Sequence, residues 1–159
     1  NIGDRYRNVI GIFKNQIMRG EPMSVFGDGE QTRAFSYIDD VAPQIAKSVE
    51  IPAARNEVFN IGAEKPYTVN ELVAVVANTF GVAPNVKHLA ARNEVVPAFS
   101  DHSKIRKVFG DMRFVALEDG VQKMAEWAKS AGARSGEAFA EIEVKKNMPA
   151  TWLGDLAKN

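Results

Sequence analysis

Gly27-Asp28-Gly29-Glu30-Gln31-Thr32-Arg33-Ala34-Phe35-Ser36-Tyr37-Ile38-Asp39-Asp40-Val41-Ala42 is the stretch that organises the rest of the chain. Its first four residues are turn chemistry, because Asp-Gly tolerates positive φ at little steric cost. Two short β-like runs flank the turn, Met23-Ser24-Val25-Phe26 and Ala34-Phe35-Ser36-Tyr37. Spacing alone favours a β-hairpin. A second reading is functional: the turn aims Arg33 at a phosphate, whose oxygens match the planar fork of a guanidinium. Asp39 and Asp40 are placed to cap a helix with the apolar face Val41, Ile45 and Val49, and Pro43 fits its first turn. Adjacent carboxylates on a helix do not face each other, so capping outweighs a catalytic pair.

Working outward, Asn8 to Arg19 carries a broad helical stripe (Val9, Ile10, Ile12, Phe13, Ile17, Met18), with Gly20 as its C-terminal cap. After Pro52, Glu57 to Ile61 reads as a buried strand closed by Gly62. Thr68-Val69-Asn70-Glu71 has capping-box spacing and opens a helix through Val69, Leu72, Val73, Val76 and Phe80, which Gly81 stops. Val86 to Leu89 is a strand. A short helix from Asp101 buries Ile105, Val108 and Phe109 and ends at Gly110. A longer one from Leu117 places Val121, Met124 and Ala128 on one face and fades at Gly132. The fold class is mixed α and β with helices dominating: residues 1–132 form one domain and 133–159 a C-terminal extension, with Trp152 and Leu153 docked on an apolar surface.

Composition excludes several functions. The chain has 159 residues, enough to bury roughly 70% of its unfolded surface. Twenty Lys and Arg balance twenty Asp and Glu, and a polyanion binder needs a basic excess, so nucleic acid is not an expected partner. No run approaches the ~20 apolar residues of a membrane span. There is no cysteine, hence no disulfide, no thiolate nucleophile and no cysteine zinc site, which fits a reducing cytoplasm. His88 and His102 lack metal-type partners; the first reads as a half-exposed strand residue and the second as a solvent-facing residue in a first helical turn. No metal is expected.

The 27–42 stretch closely resembles a signature of the extended short-chain dehydrogenase/reductases, the NAD-dependent nucleotide-sugar epimerases and dehydratases. Further segments agree in order: Val58-Phe59-Asn60-Ile61-Gly62, Thr68 to Leu72, Arg92 through Asp101-His102-Ser103-Lys104 to Phe109-Gly110, and Leu117 to Val121 with Glu126-Trp127. The resemblance runs from about Asn8 to Lys129. In that family a Rossmann domain binds NAD and carries a Tyr-x-x-x-Lys pair, while a smaller C-terminal portion grips the substrate's nucleotide diphosphate. Tyr6, Tyr37 and Tyr67 are followed four residues on by Ile10, Val41 and Glu71, never by lysine. Gly27 and Gly29 begin a Gly-x-Gly-x-x-Gly pattern, but Thr32 stands where the third glycine belongs. The chain therefore resembles the C-terminal substrate-binding portion, without the Rossmann domain.

What the resemblance implies can be stated residue by residue. Asn8 and Val9 correspond to a pair touching the substrate phosphate and sugar; Val25 and Phe26 to the strand bordering uracil. Arg33 and Arg92 correspond to two arginines clamping the diphosphate, and Glu94 to an acidic residue bonding the ribose. Ala34 departs from the family's usual Asp after the signature arginine, so whatever orients Arg33 differs here. The implied activity is UDP-sugar binding within a UDP-glucose 4-epimerase-like enzyme, with no catalytic residue in this chain and no turnover by it alone. NAD belongs to the full-length parent. A 4,6-dehydratase, a UDP-glucuronate decarboxylase and a non-catalytic nucleotide-sugar-binding module are the alternatives. The implied partners are a Rossmann half, in the same or a separate chain, and further copies in a homo-oligomer. In the family some strands of this region pair only in the whole chain, so exposed apolar surface is expected.

Overall fold

The computed structural model describes residues 8–134 and Lys146; the expected C-terminal extension lies, apart from Ala133, Arg134 and Lys146, outside the described residues. Helix α1 (Val9–Met18) begins at Asn8, whose Oδ1 accepts the Gly11 amide at 3.3 Å. It ends as expected at Gly20: the Gly20 amide donates to the Ile17 carbonyl and the Glu21 amide to that of Gln16. Strand β1 (Met23–Phe26) then turns Met23 and Val25 inward, each 1% exposed. After β2 (Thr32–Ala34) come α2 (Ile38–Lys47), two short 3₁₀ turns (Ser48–Glu50 and Pro52–Ala54) and β3 (Pro66–Thr68). Helix α3 (Val69–Phe80) carries the capping box that its sequence announces: the Thr68 hydroxyl accepts the Glu71 amide, and the Glu71 carboxylate accepts the Thr68 amide. Strand β4 (Val86–Leu89), the two-residue β5 (Pro97–Ala98), α4 (Ser103–Phe109) and α5 (Leu117–Ala131) complete the order.

The core lies between β1 and helices α1, α3 and α5. Phe13, Val25, Leu72, Val76 and Val121 meet there, all at 1% exposure or less. Each is at a position where helical or alternating spacing had placed an apolar face, so the hydrophobic pattern and the core coincide.

Pairing is where local reading fails. The expected hairpin does not form: β1 pairs in parallel with β4, while β2 pairs antiparallel with β3 and parallel with β5. The turn between them is instead stapled to α3, with Asn70 Nδ2 donating to the Asp28 carbonyl at 2.9 Å and to Glu30 Oε1 at 2.6 Å. Partners distant in sequence satisfy the ladder groups that a hairpin would have used.

Four further expectations need correction. Helix α2 is capped by Tyr37 with no side-chain bond, and Asp39 and Asp40 sit in its first turn. Asp40 Oδ2 accepts the Val115 amide at 2.9 Å, holding the approach to α5, and Pro43 falls in the second turn because the helix starts early. No residue of α2 is buried, with Ile45 62% exposed, and Val49 falls outside it in the following 3₁₀ turn, 88% exposed. Residues 57–61 form no strand and join neither described sheet, and Val58 is 81% exposed. His102 is buried, at 3% exposure, and not solvent-facing: Nε2 bonds Ser100 Oγ at 2.8 Å and Nδ1 bonds Glu64 Oε1 at 3.2 Å.

Candidate functional site

Two loops build the site, and topology sets them side by side. The parallel strands β1 and β4 end together at Phe26 and Leu89, and the parallel strands β2 and β5 begin together at Thr32 and Pro97. Residues 27–31 and 90–96 thus leave one sheet at the same end and enter the other as neighbours. Main-chain bonds join them at both ends, from the Gly27 amide to the Leu89 carbonyl and from the Thr32 amide to the Val96 carbonyl, each at 3.0 Å. His88 Nδ1 adds a bond to the Gly27 carbonyl at 2.8 Å.

Arg33 stands on β2, the central strand of its sheet, and its guanidinium is held from the second loop. Nη1 donates to the Thr32 carbonyl at 2.7 Å and to the Val95 carbonyl at 2.8 Å. Nη2 donates to Glu94 Oε2 at 3.1 Å, and this ion pair is partly exposed. Arg92 lies flat against Phe26, its guanidinium carbon 3.1 Å from the ring centroid. Its Nε is buried without a hydrogen-bond partner. Burial lowers the Arg92 pKa, and the charge of Glu94 opposes that shift. Glu94 thus pairs with Arg33 while its charge acts on Arg92, which links Phe26, Arg33, Arg92 and Glu94 into one group.

The other expected residues lie differently. Val25 is a core side chain, 1% exposed, one position before Phe26 at the strand's end. Asn8 and Val9 sit at the start of α1; no hydrogen bond joins them to the arginine group among the described residues. Two supports escaped sequence reasoning. Gln31 Nε2 donates to the Phe26 carbonyl at 3.0 Å, and Asn70 staples the first loop. Only a polar residue lodged between Gly29 and Arg33 hinted at the former. The Ser100–His102–Glu64 chain, which Arg106 joins at 2.9 Å, ties the segment after Gly62 to the start of α4.

These loops do not fit a dinucleotide. A strand, β2, follows Gly27 and Gly29 where a dinucleotide turn opens a helix and presents its free amides. Gly29 is buried with φ +83°, and a Cβ there would collide with the Asn70 side chain, so the close approach is made to Asn70. Among the described residues no group of three metal-ligating side chains occurs, and no helix is long and apolar enough to cross a membrane.

The arrangement defines an α/β module with two arginines, Arg33 and Arg92, grouped with Glu94 beside the Phe26 ring. Comparison with known proteins gives that module its relatives. Residues 1–62 match the family described as "NAD dependent epimerase/dehydratase family". A putative UDP-glucose 4-epimerase of Methanocaldococcus jannaschii is 30% identical over 123 residues, which cover 77% of this chain and 39% of the relative. The crystal structure of UDP-glucose 4-epimerase from Thermotoga maritima with UDP-glucose has a TM-score of 0.73 and 31% identity, over 81% of this chain and 42% of that one. A UDP-glucuronic acid 4-epimerase mutant from Bacillus cereus, in complex with a UDP-sugar analogue and NAD, has a TM-score of 0.73 and 26% identity, over 81% and 42%. Sequence and fold together relate the chain to the NAD-dependent epimerase/dehydratase family, and its homologues include UDP-sugar 4-epimerases. The chain spans about two-fifths of the length of the relatives it matches.

Proposed function

We propose that this chain is the substrate-gripping part of an NAD-dependent nucleotide-sugar 4-epimerase acting between UDP-glucose and UDP-galactose. The observation that carries the proposal is the convergence of Arg33 and Arg92, from segments far apart in sequence, on the two neighbouring loops. A sugar diphosphate bears about two negative charges, and each charge-assisted hydrogen bond contributes on the order of 1.5–3 kcal/mol. Arg33 and Arg92 clamp the diphosphate, the end of β1 at Val25 and Phe26 borders the base, and Glu94 meets the ribose. Asn8 and Val9 approach from α1 towards the phosphate and sugar. A diphosphate fixed at two points leaves the hexose free to turn, which is what exchange at its 4-position requires.

The described residues offer neither a base beside a sugar site nor a dinucleotide cradle, so the chain by itself turns nothing over in this proposal. The NAD-binding Rossmann half, in the same chain or a separate one, supplies the chemistry. The open apolar face of α2 and the unpaired 57–61 segment, with a cleft of about 220 Å³ lined by Ile45, Phe59, Ile105 and Phe109, are where that half docks.

Calorimetric titration with UDP tests the reading. The wild-type chain binds UDP, and Arg33→Ala weakens binding by about tenfold or more, the equivalent of about 1.5–3 kcal/mol. Equal affinity in the two proteins removes Arg33 from the site.

A further inference from the structure

Arg33 has five N–H donors, and the structure accounts for three of them. The two on Nη1 go to the Thr32 and Val95 carbonyls, and one on Nη2 goes to Glu94 Oε2. Nε has no partner among the described residues, and it is not among the buried unpaired atoms. What remains is the Nε–H and one Nη2–H, two donors of the planar group that suit oxygens of a diphosphate. The three occupied donors restrain the group. Two of their acceptors are main-chain carbonyls, rigid with β2 and the second loop; the third is a side chain 61 positions away. We infer that Glu94 is a positioning residue, whose carboxylate orients the Arg33 guanidinium so that its remaining donors receive the diphosphate of a nucleoside diphosphate. The inference rests on the UDP-site reading above and deepens it.

Charge and conformational freedom argue the same way. A free arginine side chain loses much rotamer freedom when it is fixed, and one already held spares the ligand that loss. The position next to Arg33 in sequence is Ala34, which offers no carboxylate, so the acid comes from across the fold. The charge of Glu94 also acts on Arg92, so one carboxylate offsets the mutual repulsion of two guanidinium groups while the trio keeps a net positive charge for the ligand. Its Oε1 makes no hydrogen bond among the described residues and remains available to a ribose hydroxyl, so orienting Arg33 and meeting the ribose are compatible.

The two roles separate when UDP and inorganic pyrophosphate, which has no ribose, are titrated into the 159-residue chain. Wild type, Glu94→Ala, Glu94→Gln, Arg33→Ala and the Arg33→Ala/Glu94→Ala double variant are compared, with circular dichroism checking that each is folded. Glu94→Ala is expected to weaken pyrophosphate about fivefold or more, and UDP by at least that factor because UDP also loses the ribose contact. Glu94→Gln recovers part of the loss, because its amide oxygen still accepts from Nη2. In the Arg33→Ala background the Glu94 change has no further effect on pyrophosphate, since the group it orients is gone. Loss for UDP alone would reduce Glu94 to a ribose contact, and tighter binding of both ligands would make it a competitor for Arg33; either result overturns the inference. A wild type that binds both ligands, with Glu94→Ala unchanged, sinks the inference alone. A wild type that binds neither sinks the UDP-site reading with it.

Discussion

Lys14 is fully buried on α1, where its ammonium donates to the Val121 carbonyl at 3.0 Å. Burial lowers its pKa from the usual 10.5 to about 8. In the unfolded chain the lysine keeps its proton up to its ordinary value, while in the folded chain it releases it near pH 8. Between those values the unfolded state binds more protons, so Lys14 makes stability rise with pH across that interval. Below pH 8 both states are charged and the folded one carries the whole cost of the buried cation. Lys14→Met should therefore raise stability at pH 7 by about 1–3 kcal/mol, and the gap to wild type should close as pH rises from about 8 to 10.5. Urea unfolding at pH 7 and pH 10 measures it; a gap that stays constant with pH would show that burial of charge is not the cause.

At the scale of elements, the first loop is a structural part before it is a binding part. Gly29 takes φ +83° against the Asn70 side chain, and the Asn70 amide donates to the Gly29 carbonyl at 3.1 Å. Glycine is needed here twice over, for the left-handed backbone and for the space. Gly29→Ala should destabilise the chain by about 2 kcal/mol or more, through strain and through displacement of Asn70 from Asp28 and Glu30. Because the same loop runs into Arg33, the variant should also lose UDP affinity. Thermal unfolding and titration on one preparation check both effects, and an unchanged midpoint would refute the packing argument. By the same logic, Gly20 and Gly81, whose added Cβ would meet nothing within 4 Å, carry only the backbone part of such a cost.

At the scale of the whole molecule, several large apolar side chains among the described residues are left exposed. Ile38, Ile45, Val49 and Val58 are each more than half exposed, on α2, the 3₁₀ turn after it and the 57–61 segment. Segment 57–61 also presents main-chain groups that join neither described sheet. Large contiguous apolar surface beside an unpaired edge favours association. At micromolar concentration the isolated chain should sediment as dimers or larger species, and Ile45→Glu with Val49→Lys should shift it towards monomer while leaving UDP binding intact. A wild type that is monomeric at all concentrations in a velocity run would contradict this.

Much of this fold was legible residue by residue. The capping box at Thr68, the terminators Gly20 and Gly81, the bounds of β1 and β4, and the helical stripes meeting at Phe13, Leu72 and Val121 all follow from interactions within a few positions. Such interactions are encoded locally, so a single sequence displays them. Of the site, resemblance named Phe26, Arg33, Arg92 and Glu94, but their contacts were not legible, because Arg33 and Glu94 meet across 61 positions. The same is true of His102, whose burial depends on Glu64 closing over it from another segment. The sequence by itself determined the bounds of α1 and α3, the apolar faces that meet in the core, and, through resemblance, which arginines to look at. The tertiary structure alone decided that β1 leaves β2 for β4, that the two loops lie together, and that the Glu94 carboxylate pairs with Arg33. Strand partners and loop neighbours are chosen by competition among distant segments for the same hydrogen bonds and the same buried surface, and only the folded chain resolves that competition.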